Sequence, residues 1–565
     1  MEKKPLFIHS KIYFFITELF VGIALMGIEM SASRLISVYF SSSQVVWTII
    51  IGVIMIAMAI GNFWGGKQAD KKPSYKRLYL ELLFSGMYIV LIPFVGRYVI
   101  VGVSMIFALI APNSLVIWAS LFSCLILFVP PLLFLGKVTP SLVKYLMGEK
   151  VSGKVVGTLE ALNTFGSIFG TFIPTFFTIP FIGTSNSFII FGVMIASLGL
   201  VYMVTTFIDW YRNRPKPEEV KEENQVDTKE NKKQSVKAIV LTSVYSSLLV
   251  FGIVISSNCR FAFWKPANTI KEAESTYNYL KVDREGQMTL LSTNILFGTQ
   301  SAINDDYSLT GMYYDYLLTS PYLVKENPDV LVLGNGTGTY ATMLKEYNKV
   351  DCNITAVEID QKIIDLSYQY FHMNKDVKII CDDGRNYITR TNDKYDIILV
   401  DAYSSISAPF HMTTVEFFSL VKSHLNPDGL MMMNINMTSR DPQSIDHALC
   451  DTAFSVFNNL YTYKVNNGSG VEVFAFNGEK DVLNEIKNIP SKPELIGFNG
   501  VLARLRDPDT GLKAHVDSGI RLLDETADVE IRSMRALTEI ILDYLDYYLQ
   551  VYREKGLQGL IDILM

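Results

Sequence analysis

Long apolar stretches fill the first half of this 565-residue chain. The hydrocarbon core of a bilayer is about 30 Å thick, and a helix needs about 20 apolar residues to cross it. Because each stretch approaches or exceeds that length, the first half is expected to lie in a membrane. We predict about seven spans, near residues 12–38, 44–66, 77–95, 115–136, 155–180, 183–208 and 237–257.

Lysine and arginine are concentrated in alternate loops between these predicted spans. They gather around residues 67–77 and 137–154, whereas the loops near 40–44 and 181–187 have none. Basic loops stay on the cytoplasmic side of a membrane. The basic loops and the N-terminus are therefore predicted to be cytoplasmic, and a seventh span would place the second half outside the cell.

The sequence leaves the membrane side of the second half open. The apolar segment 98–111 is short for a crossing and is expected to lie along the interface or to re-enter. An outward-facing second half conflicts with the cytosolic nucleotide that its motifs indicate below. Three solutions remain: 98–111 crosses, 237–257 does not cross, or the second half does face outward.

Several charged and polar residues interrupt the apolar stretches. Charge inside a bilayer is costly and by default marks a functional site, although structural polar packing explains such residues equally well. Residues 66–71 also resemble the loop between the second and third helices of major-facilitator transporters, so this half is predicted to be half-transporter-like. The interrupting residues are Glu18, Glu29, Arg34, Glu81, Glu160 and Asn163.

Overall composition excludes several classes of protein. With 50 Lys and Arg against 56 Asp and Glu, the net charge is −6, so no nucleic-acid partner is expected. The five cysteines show no paired CxxC pattern, so neither a disulfide scaffold nor a metal site is predicted. We divide the chain into a six-span domain (1–210), a charged cytoplasmic linker (211–236), a seventh span (237–258), a small β domain with a connecting helix (259–325), a Rossmann-like domain (326–530) and a helical tail (531–565).

The second half has the pattern of a nucleotide-binding α/β domain. Short alternating runs, TYNYLKV, MTLLST and the stretch around 295–297, indicate a small antiparallel sheet, and 311–325 is predicted to be a helix. The apolar strand DVLVL (329–333) is typical of a buried parallel sheet. The predicted fold is thus a multi-pass α-helical membrane domain followed by an α/β Rossmann-like, methyltransferase-fold domain with a small N-terminal antiparallel β domain.

A glycine-rich turn follows that strand and precedes a helical stretch. Glycines at such a turn let the backbone approach a ligand closely. The next strand ends in Glu358, where an acidic side chain can bind ribose hydroxyls. The spacing is GxGxG rather than the dinucleotide GxGxxG, which favours a single adenosyl nucleoside over NAD. The turn residues that we predict to bind the cofactor are Gly334, Gly336, Thr337 and Gly338.

Carboxylates also end the following two predicted strands. Asp382, Asp383 and Gly384 follow VKIIC, and a carboxylate there can accept from an adenine amino group. Asp401 follows YDIILV. Ligands of open α/β sheets bind outside the carboxyl ends of the strands, so these residues are predicted to share one site.

Several motifs together resemble one known family. They are ESTYNYLKVD (274–283), VLVLGNGTG, AVEID, DDGRNYI, ILVDAYSS, APFHMTTVEFF and LLDETADVE (522–530). With these motifs, the part from about 268 to 530 resembles the spermidine synthase family. Including the first half, with its stretch EALNTFGSIFG, the whole chain resembles the bacterial membrane-fused spermidine synthase-like proteins.

The resemblance implies decarboxylated S-adenosylmethionine, or S-adenosylmethionine itself, as co-substrate, and a small amine or polyamine as acceptor. Glu358 would hold the ribose and Asp383 the adenine, while Asp401 would be the catalytic acidic residue that receives the attacking amine. The independent physical reason is that an amine is protonated at neutral pH until a carboxylate accepts its proton. The residues expected to contact the substrate are Asn278, Gln300, Tyr313, Tyr403, Ser404 and His411.

The sequence also departs from the family pattern. Thr337 stands where the family has an aspartate that pairs with the donor's amino group, and Ser404 stands where it has a second, polyamine-binding acid. Asn278 replaces a glutamine, and Tyr313-Tyr314-Asp315 replaces a Tyr-His-Glu run. Losing two carboxylates weakens a site for cationic groups, because charge-assisted hydrogen bonds contribute roughly 1.5–3 kcal/mol each.

Three functions are therefore carried forward. The first is a membrane-anchored aminopropyltransferase of polyamine biosynthesis, and the second is an S-adenosylmethionine-dependent methyltransferase acting on a membrane-proximal substrate. The third is a transporter or sensor that binds an adenosyl ligand without turnover. The C-terminal helical tail is expected to serve packing or an oligomer contact between copies of the chain.

Overall fold

The computed structural model describes residues 7–40, 43–111, 114–147, 152–212, 243–257, 259, 267–294, 298–403, 408–465, 470–526 and 528–564. The chain forms two compact units. The first contains residues 1–40, 44–110 and 115–261. The second contains residues 262–565 together with the short segments 41–43 and 111–114.

Helices are the only regular secondary structure in the described residues of the first unit. Six of its helical segments are long and apolar enough to cross a membrane. Two predictions are corrected here. The segment 98–111 is not separate, because its residues up to Ile110 continue the helix that begins at Tyr75. Residues 66–71 form the end of a helix and not a loop. The helices are α1 (Lys11–Phe40), α2 (Gln44–Lys71), α3 (Tyr75–Ile110), α4 (Leu115–Gly136), α5 (Val138–Met147), α6 (Gly153–Ile173), α7 (Ile179–Ile182) and α8 (Thr184–Arg212).

A shorter apolar helix, α9 (Ser243–Ser257), covers the described part of the predicted seventh span. Its length of 15 residues corresponds to about 22 Å at 1.5 Å per residue. Ser256 Oγ donates to the carbonyl of Val90 at 2.5 Å, and Leu249 packs in one apolar cluster with Leu83 and Val90. The helix thus packs beside α3.

Small residues bring α1 and α6 into backbone contact. A Cβ placed on Gly170 would lie 2.2 Å from the carbonyl oxygen of Ile23, and one on Gly166 would lie 2.3 Å from that of Leu19. Such distances leave no room for a side chain, as expected for helices packed through small residues.

Polar groups on several helices of this unit pair with one another. Glu18 Oε1 accepts from Thr139 Oγ1 at 2.6 Å and from Asn163 Nδ2 at 2.8 Å. Lys137 Nζ forms an ion pair of 2.6 Å with Glu81 and is almost completely buried. These contacts give Glu18 and Glu81 partners in the interior of the unit.

The second unit begins with the predicted small antiparallel sheet. Its four strands pair in sequential order. The stretch around 295–297 lies outside the described residues. The strands are β1 (Thr269–Glu274), β2 (Tyr279–Glu285), β3 (Met288–Thr293) and β4 (Ser301–Asn304).

The predicted helix over 311–325 is wrong in length. The structure has a single turn, α10 (Tyr314–Leu317), followed by a 3-10 turn at Ser320–Tyr322. Pro321 explains the break, because its ring would clash with the carbonyl four residues earlier and it has no N–H to donate. That carbonyl belongs to Leu317, where the helix ends.

An eight-stranded mixed sheet in the order β12-β10-β11-β9-β8-β5-β6-β7 follows, and it confirms the Rossmann-like fold. Strands β5 to β9 are parallel where they pair, and β10 to β12 pair antiparallel at one side. Two apolar clusters cover the sheet. The strands are β5 (Asp329–Leu333), β6 (Asn353–Glu358), β7 (Lys378–Cys381), β8 (Tyr395–Val400), β9 (Leu425–Ile435), β10 (Leu460–Val465), β11 (Gly470–Phe476) and β12 (Lys513–Ala514).

Helices alternate with these strands, as expected for a doubly wound sheet. The predicted tail helix begins earlier than residue 531 and contains a kink at Gly556, whose φ is 65°. The helices are α11 (Thr339–Glu346), α12 (Gln361–Tyr370), α13 (Gly384–Arg390), α14 (Val415–Ser423), α15 (Ile445–Phe457), α16 (Val482–Asn488), α17 (Phe498–Arg506) and α18 (Val529–Leu564).

The backbone contact between α1 and α6 predicts a sharp difference between two glycines of α6. Gly170→Ala should lower the thermal unfolding midpoint of the full-length protein, because overpacking costs about 1–3 kcal/mol. Gly157→Ala is the matched control, since nothing lies within 4 Å of its added Cβ. That control should keep or raise the midpoint, because alanine favours a helix by about 1 kcal/mol over glycine. Equal midpoints for the two variants would contradict the packing described here.

Candidate active site

The glycine-rich turn connects β5 to α11 at the carboxyl edge of the parallel strands. Gly334, Gly336 and Gly338 all have positive φ, at 89°, 54° and 79°. A Cβ on Gly334 would lie 2.4 Å from the carbonyl oxygen of Asp401, so this position needs glycine for space as well as for conformation. The turn therefore places its backbone directly against the end of β8.

Glu358, at the end of β6, is bound to this turn. Its Oε2 accepts from the N–H of Gly336 at 2.8 Å, and its Oε1 accepts from the N–H of Asp360 at 3.0 Å. Burial raises the pKa of Glu358 to about 7, although both hydrogen bonds oppose that rise. The side chain is thus fixed beside the glycine turn, and its ribose-binding role stays a prediction.

Asp382 and Asp383 follow β7, but only one of them faces another predicted site residue. Asp383 Oδ1 caps α13 by accepting from Asn386 N–H at 2.9 Å, while its Oδ2 lies 3.1 Å from His411 Nε2. Asp382 pairs instead with Arg390, the last residue of α13. The structure therefore brings Asp383 and His411 together and leaves Asp382 in a structural ion pair. A Cβ on Gly384 would lie 2.9 Å from Met412 Cε.

Asp401 lies just after β8 and is half-buried. Its Oδ2 accepts from the Tyr313 hydroxyl at 2.6 Å, and its Oδ1 accepts from Asn434 Nδ2 at 2.8 Å. Burial raises the pKa of Asp401 to about 7, against the opposing effect of these two hydrogen bonds. A carboxyl group with a pKa near neutrality can both accept and release a proton at physiological pH.

Aromatic residues surround this carboxylate. The rings of Tyr313 and Tyr314 have centroids 3.9 Å apart, and the Tyr314 hydroxyl donates to the backbone carbonyl of Gln300 at 2.8 Å. The Tyr403 hydroxyl donates to the carbonyl of Asn434 and accepts from the N–H of Asn436. The predicted residues Tyr313 and Tyr403 therefore lie close to Asp401.

Asn434 also contacts Asp401, although the sequence did not mark it as a site residue. It lies in β9, where a polar residue interrupts the apolar run LMMMNI. That interruption near the end of a buried strand was the available signal. The signal could be interpreted only with the register between β8 and β9. In that register Val400 pairs with Met433, which brings Asn434 beside Asp401.

Three other residues were predicted to contact the substrate, and the structure does not place any of their side chains against Asp401. Asn278 Nδ2 donates to Asp360 Oδ2 at 3.2 Å, and its Oδ1 accepts from Asn294, so it supports the end of β6 rather than contacting Asp401. Gln300 approaches the site through its backbone, which accepts from Tyr314. Ser404 lies outside the described residues.

Thr337 occupies the interior of the glycine turn. Its side chain is 1% exposed, and its N–H donates to Ser301 Oγ at 3.3 Å. Its Oγ1 has no hydrogen-bond partner in the described part of the chain, and neither does Nδ2 of the neighbouring Asn335. The turn thus holds neutral polar atoms at the position where the family pattern has a carboxylate. Among the described residues, no group of three or more His, Cys, Asp or Glu side chains is arranged to hold a metal ion.

Comparison with known proteins identifies the family. A family model described as the spermine/spermidine synthase domain matches residues 311–484. A protein of Bifidobacterium longum (strain NCC 2705), named "Probable polyamine aminopropyl transferase", is 39% identical over 348 residues, which cover 58% of this chain and 76% of that protein. The chain belongs to the spermidine synthase family of polyamine aminopropyltransferases. The prediction of a spermidine synthase-like transferase is confirmed.

Other relatives match a smaller share of the chain at lower identity. The polyamine aminopropyltransferase of Vibrio vulnificus (strain CMCP6) is 26% identical over 263 residues, covering 45% of this chain and 83% of that protein. The crystal structure of a probable spermidine synthase from Corynebacterium glutamicum ATCC 13032 has 18% identity and a TM-score of 0.35, and covers 46% of this chain and 97% of that one.

The raised pKa values of Asp401 and Glu358 predict how stability depends on pH. The unfolded chain releases these protons near pH 4, whereas the folded chain keeps them until about pH 7. The folded state therefore binds more protons in this window, and the free energy of unfolding falls as pH rises from about 4 to about 7.

Asp401→Asn removes one of these titrating groups. The fall in the thermal unfolding midpoint between pH 5 and pH 8 should therefore be smaller than in the wild type by at least about 2 °C. The exposed residue Asp393 provides the control variant Asp393→Asn, which should retain the full loss. An identical pH dependence in wild type and Asp401→Asn would show that burial does not raise the pKa of Asp401.

Proposed function

We propose that this protein transfers an aminopropyl group from decarboxylated S-adenosylmethionine to an amine acceptor. The observation that carries the proposal is Asp401, held between the Tyr313 hydroxyl and the Asn434 amide directly against the glycine turn. This arrangement supports an acceptor site beside a donor site. The family membership of the chain adds the reaction type.

The proposed reaction needs a free amine and good alignment. Asp401 accepts a proton from the acceptor's ammonium group, which leaves a lone pair on nitrogen. That pair forms a bond to the carbon next to the sulfonium, while the carbon–sulfur bond breaks and its electrons stay on sulfur. The leaving group is a neutral thioether, 5′-methylthioadenosine, so the reaction gains chiefly from positioning.

The donor-side residues fit an adenosyl group. Glu358, fixed by two backbone N–H groups, offers its carboxylate to ribose hydroxyls. Asp383, at the N-terminus of α13, can accept from the adenine amino group, with His411 closing that side at 3.1 Å. The positive-φ glycines of the turn allow the backbone to approach the donor closely.

Methyl transfer from S-adenosylmethionine is the second candidate, and Thr337 favours it. An aspartate at this position would pair with the amino group of a decarboxylated donor and repel the carboxylate of S-adenosylmethionine. The buried neutral Thr337 does neither. We rank this candidate second because the chain is a member of the aminopropyltransferase family.

We also propose that the first unit anchors the enzyme in the cell membrane as a multi-pass domain with a cytoplasmic N-terminus. Six helices have the required length and hydropathy. Large apolar side chains lie on their outer surfaces, such as Phe63 at 76% and Phe181 at 80% exposure. An exposed apolar surface of this kind is costly in water and suits a lipid environment. A membrane-proximal acceptor would be compatible with this anchoring.

The mechanism predicts that Asp401→Asn lowers kcat for aminopropyl transfer by about 100-fold or more, the usual contribution of a general base. Affinity for the donor should change by less than about threefold, because Asp401 acts on the acceptor. The measurements are product formation by mass spectrometry and donor binding by calorimetry on the full-length protein. Asp393→Asn again serves as the exposed control.

The same assay separates the two candidate reactions. Decarboxylated S-adenosylmethionine should bind more tightly than S-adenosylmethionine and should yield 5′-methylthioadenosine. Tighter binding of the carboxylated form, with S-adenosylhomocysteine as product, would replace aminopropyl transfer by methyl transfer. Full turnover in Asp401→Asn would remove this residue from the mechanism.

The anchoring proposal predicts that the full-length protein stays in the membrane pellet after extraction at alkaline pH and dissolves only in detergent. With six crossings, tags at the N-terminus and within the segment 213–236 should both be protected from an impermeant reagent added to intact cells. Release by alkali would contradict an integral anchor, and labelling of either tag would contradict the predicted orientation.

A further inference from the structure

The motif LLDETADVE (522–530) contains a carboxylate, Asp524, that the mechanism above does not use. It lies beyond the residues 311–484 that the family model matches. The chain just before it lies against the start of α14, where the N–H of Val415 donates to the carbonyl of Leu522 at 2.9 Å. Leu522 is also buried in one of the two apolar clusters of the sheet. The position of Asp524 is therefore fixed by its neighbours.

Asp524 forms a bidentate ion pair with Arg385 of α13. Arg385 Nη1 donates to Oδ1 at 2.7 Å, and Nη2 donates to Oδ2 at 2.6 Å. Thr414 Oγ1, at the N-cap of α14, donates to Oδ1 at 2.6 Å. The Arg385 hydrogen bonds lower the pKa of Asp524 to about 2, so this carboxylate is charged at neutral pH. A bidentate pair of this kind fixes the orientation of the planar guanidinium.

The same guanidinium holds the backbone of His411. Arg385 Nη1 donates to the carbonyl oxygen of His411 at 2.7 Å. The ring of His411 in turn lies with Nε2 3.1 Å from Asp383 Oδ2. A continuous chain of contacts thus links the two carboxylates, Asp524 outside the donor site and Asp383 within it.

The charge of Arg385 is also important for Asp383. The Asp524 hydrogen bonds raise the pKa of Arg385, and the Asp383 carboxylate contributes to that rise from a greater distance. A guanidinium released from Asp524 has Asp383 as an alternative partner. Pairing between Arg385 and Asp383 would remove the free carboxylate that is expected to accept from the adenine amino group.

We propose that Asp524 is a positioning residue that makes the donor site selective for adenine. It acts through Arg385, which it keeps on the backbone of His411 and away from Asp383. This inference rests on the proposed function, in which Asp383 accepts from the amino group of the adenosyl donor. Loss of Asp524 should therefore weaken ligands that carry this amino group more than ligands that lack it.

The test is equilibrium binding of two nucleosides, 5′-methylthioadenosine and 5′-methylthioinosine, to the full-length protein by calorimetry. The inosine compound has an oxygen in place of the adenine amino group and cannot donate to Asp383. Asp524→Asn should weaken binding of 5′-methylthioadenosine by at least about 10-fold, the usual effect of losing a charge-assisted hydrogen bond. Binding of 5′-methylthioinosine should change by less than about threefold, so the ratio of the two affinities falls.

Asp517→Asn is the matched control from the same segment of the chain. Asp517 forms a bidentate pair with Arg521 at 2.9 and 2.5 Å, and this pair likewise lowers its pKa to about 2. The control should change neither affinity. Equal losses for both nucleosides in Asp524→Asn would assign Asp524 to the fold alone and overturn the proposal, and an unchanged affinity for 5′-methylthioadenosine would overturn it as well.

A double-mutant cycle tests whether Asp524 acts through Arg385. Because the two residues act as one unit, Arg385→Gln combined with Asp524→Asn should lose no more affinity for 5′-methylthioadenosine than the weaker-binding single variant. Arg385→Lys should also lose adenine selectivity, since an ammonium group cannot reproduce the fork of the guanidinium. Additive losses in the double variant would contradict the proposed route.

The outcomes separate this inference from the proposed function. A wild-type protein that binds neither nucleoside would refute the donor site and this inference with it. A wild-type protein that binds 5′-methylthioadenosine, with unchanged selectivity in Asp524→Asn, would refute this inference alone. Because every readout measures binding, the predicted loss of selectivity without aminopropyl transfer would refute only the proposed reaction.

Discussion

The backbone contact between Gly334 and Asp401 is the constraint on which the rest of the active site depends. Asp401 donates its N–H to the carbonyl of Leu333 at 2.8 Å, and its own carbonyl occupies the space that a Cβ on Gly334 would need. The ends of β5 and β8 are thereby fixed against each other. Under the proposed function, a donor on the glycine turn and an acceptor at Asp401 would be neighbours, and an in-line transfer needs that proximity more than it needs strong acids or bases.

Around this contact lie buried carboxyl groups that form no ion pair within the described residues. Burial raises the pKa of Glu358 and Asp401 to about 7 and that of Glu472 well above its usual range. Each such group makes the folded protein less stable near neutral pH than a neutral residue would. Under the proposed function, a cationic acceptor would offset that cost at Asp401 when it binds.

The first unit is stabilised differently from the second. Its interior is held by close helix contacts at Gly166 and Gly170 and by paired polar groups such as Lys137 and Glu81, while large apolar side chains remain on its surface. The sequence predicted most of its helices from hydropathy alone, because apolar length is a local property. It misplaced the segment 98–111, since nothing local distinguishes a separate segment from the continuation of α3.

The sequence alone determined which residues end the parallel strands, because apolar runs followed by Gly334, Glu358, Asp383 and Asp401 are local patterns with one structural meaning. It also determined the family, through motifs carried by those same strand ends. Only the tertiary structure shows that the Asn434 amide donates to Asp401 and that Asp382 forms an ion pair with Arg390. The reason is that β9 reaches Asp401 through its register with β8, in which Val400 pairs with Met433, and a contact between residues 33 positions apart leaves no mark in either segment alone.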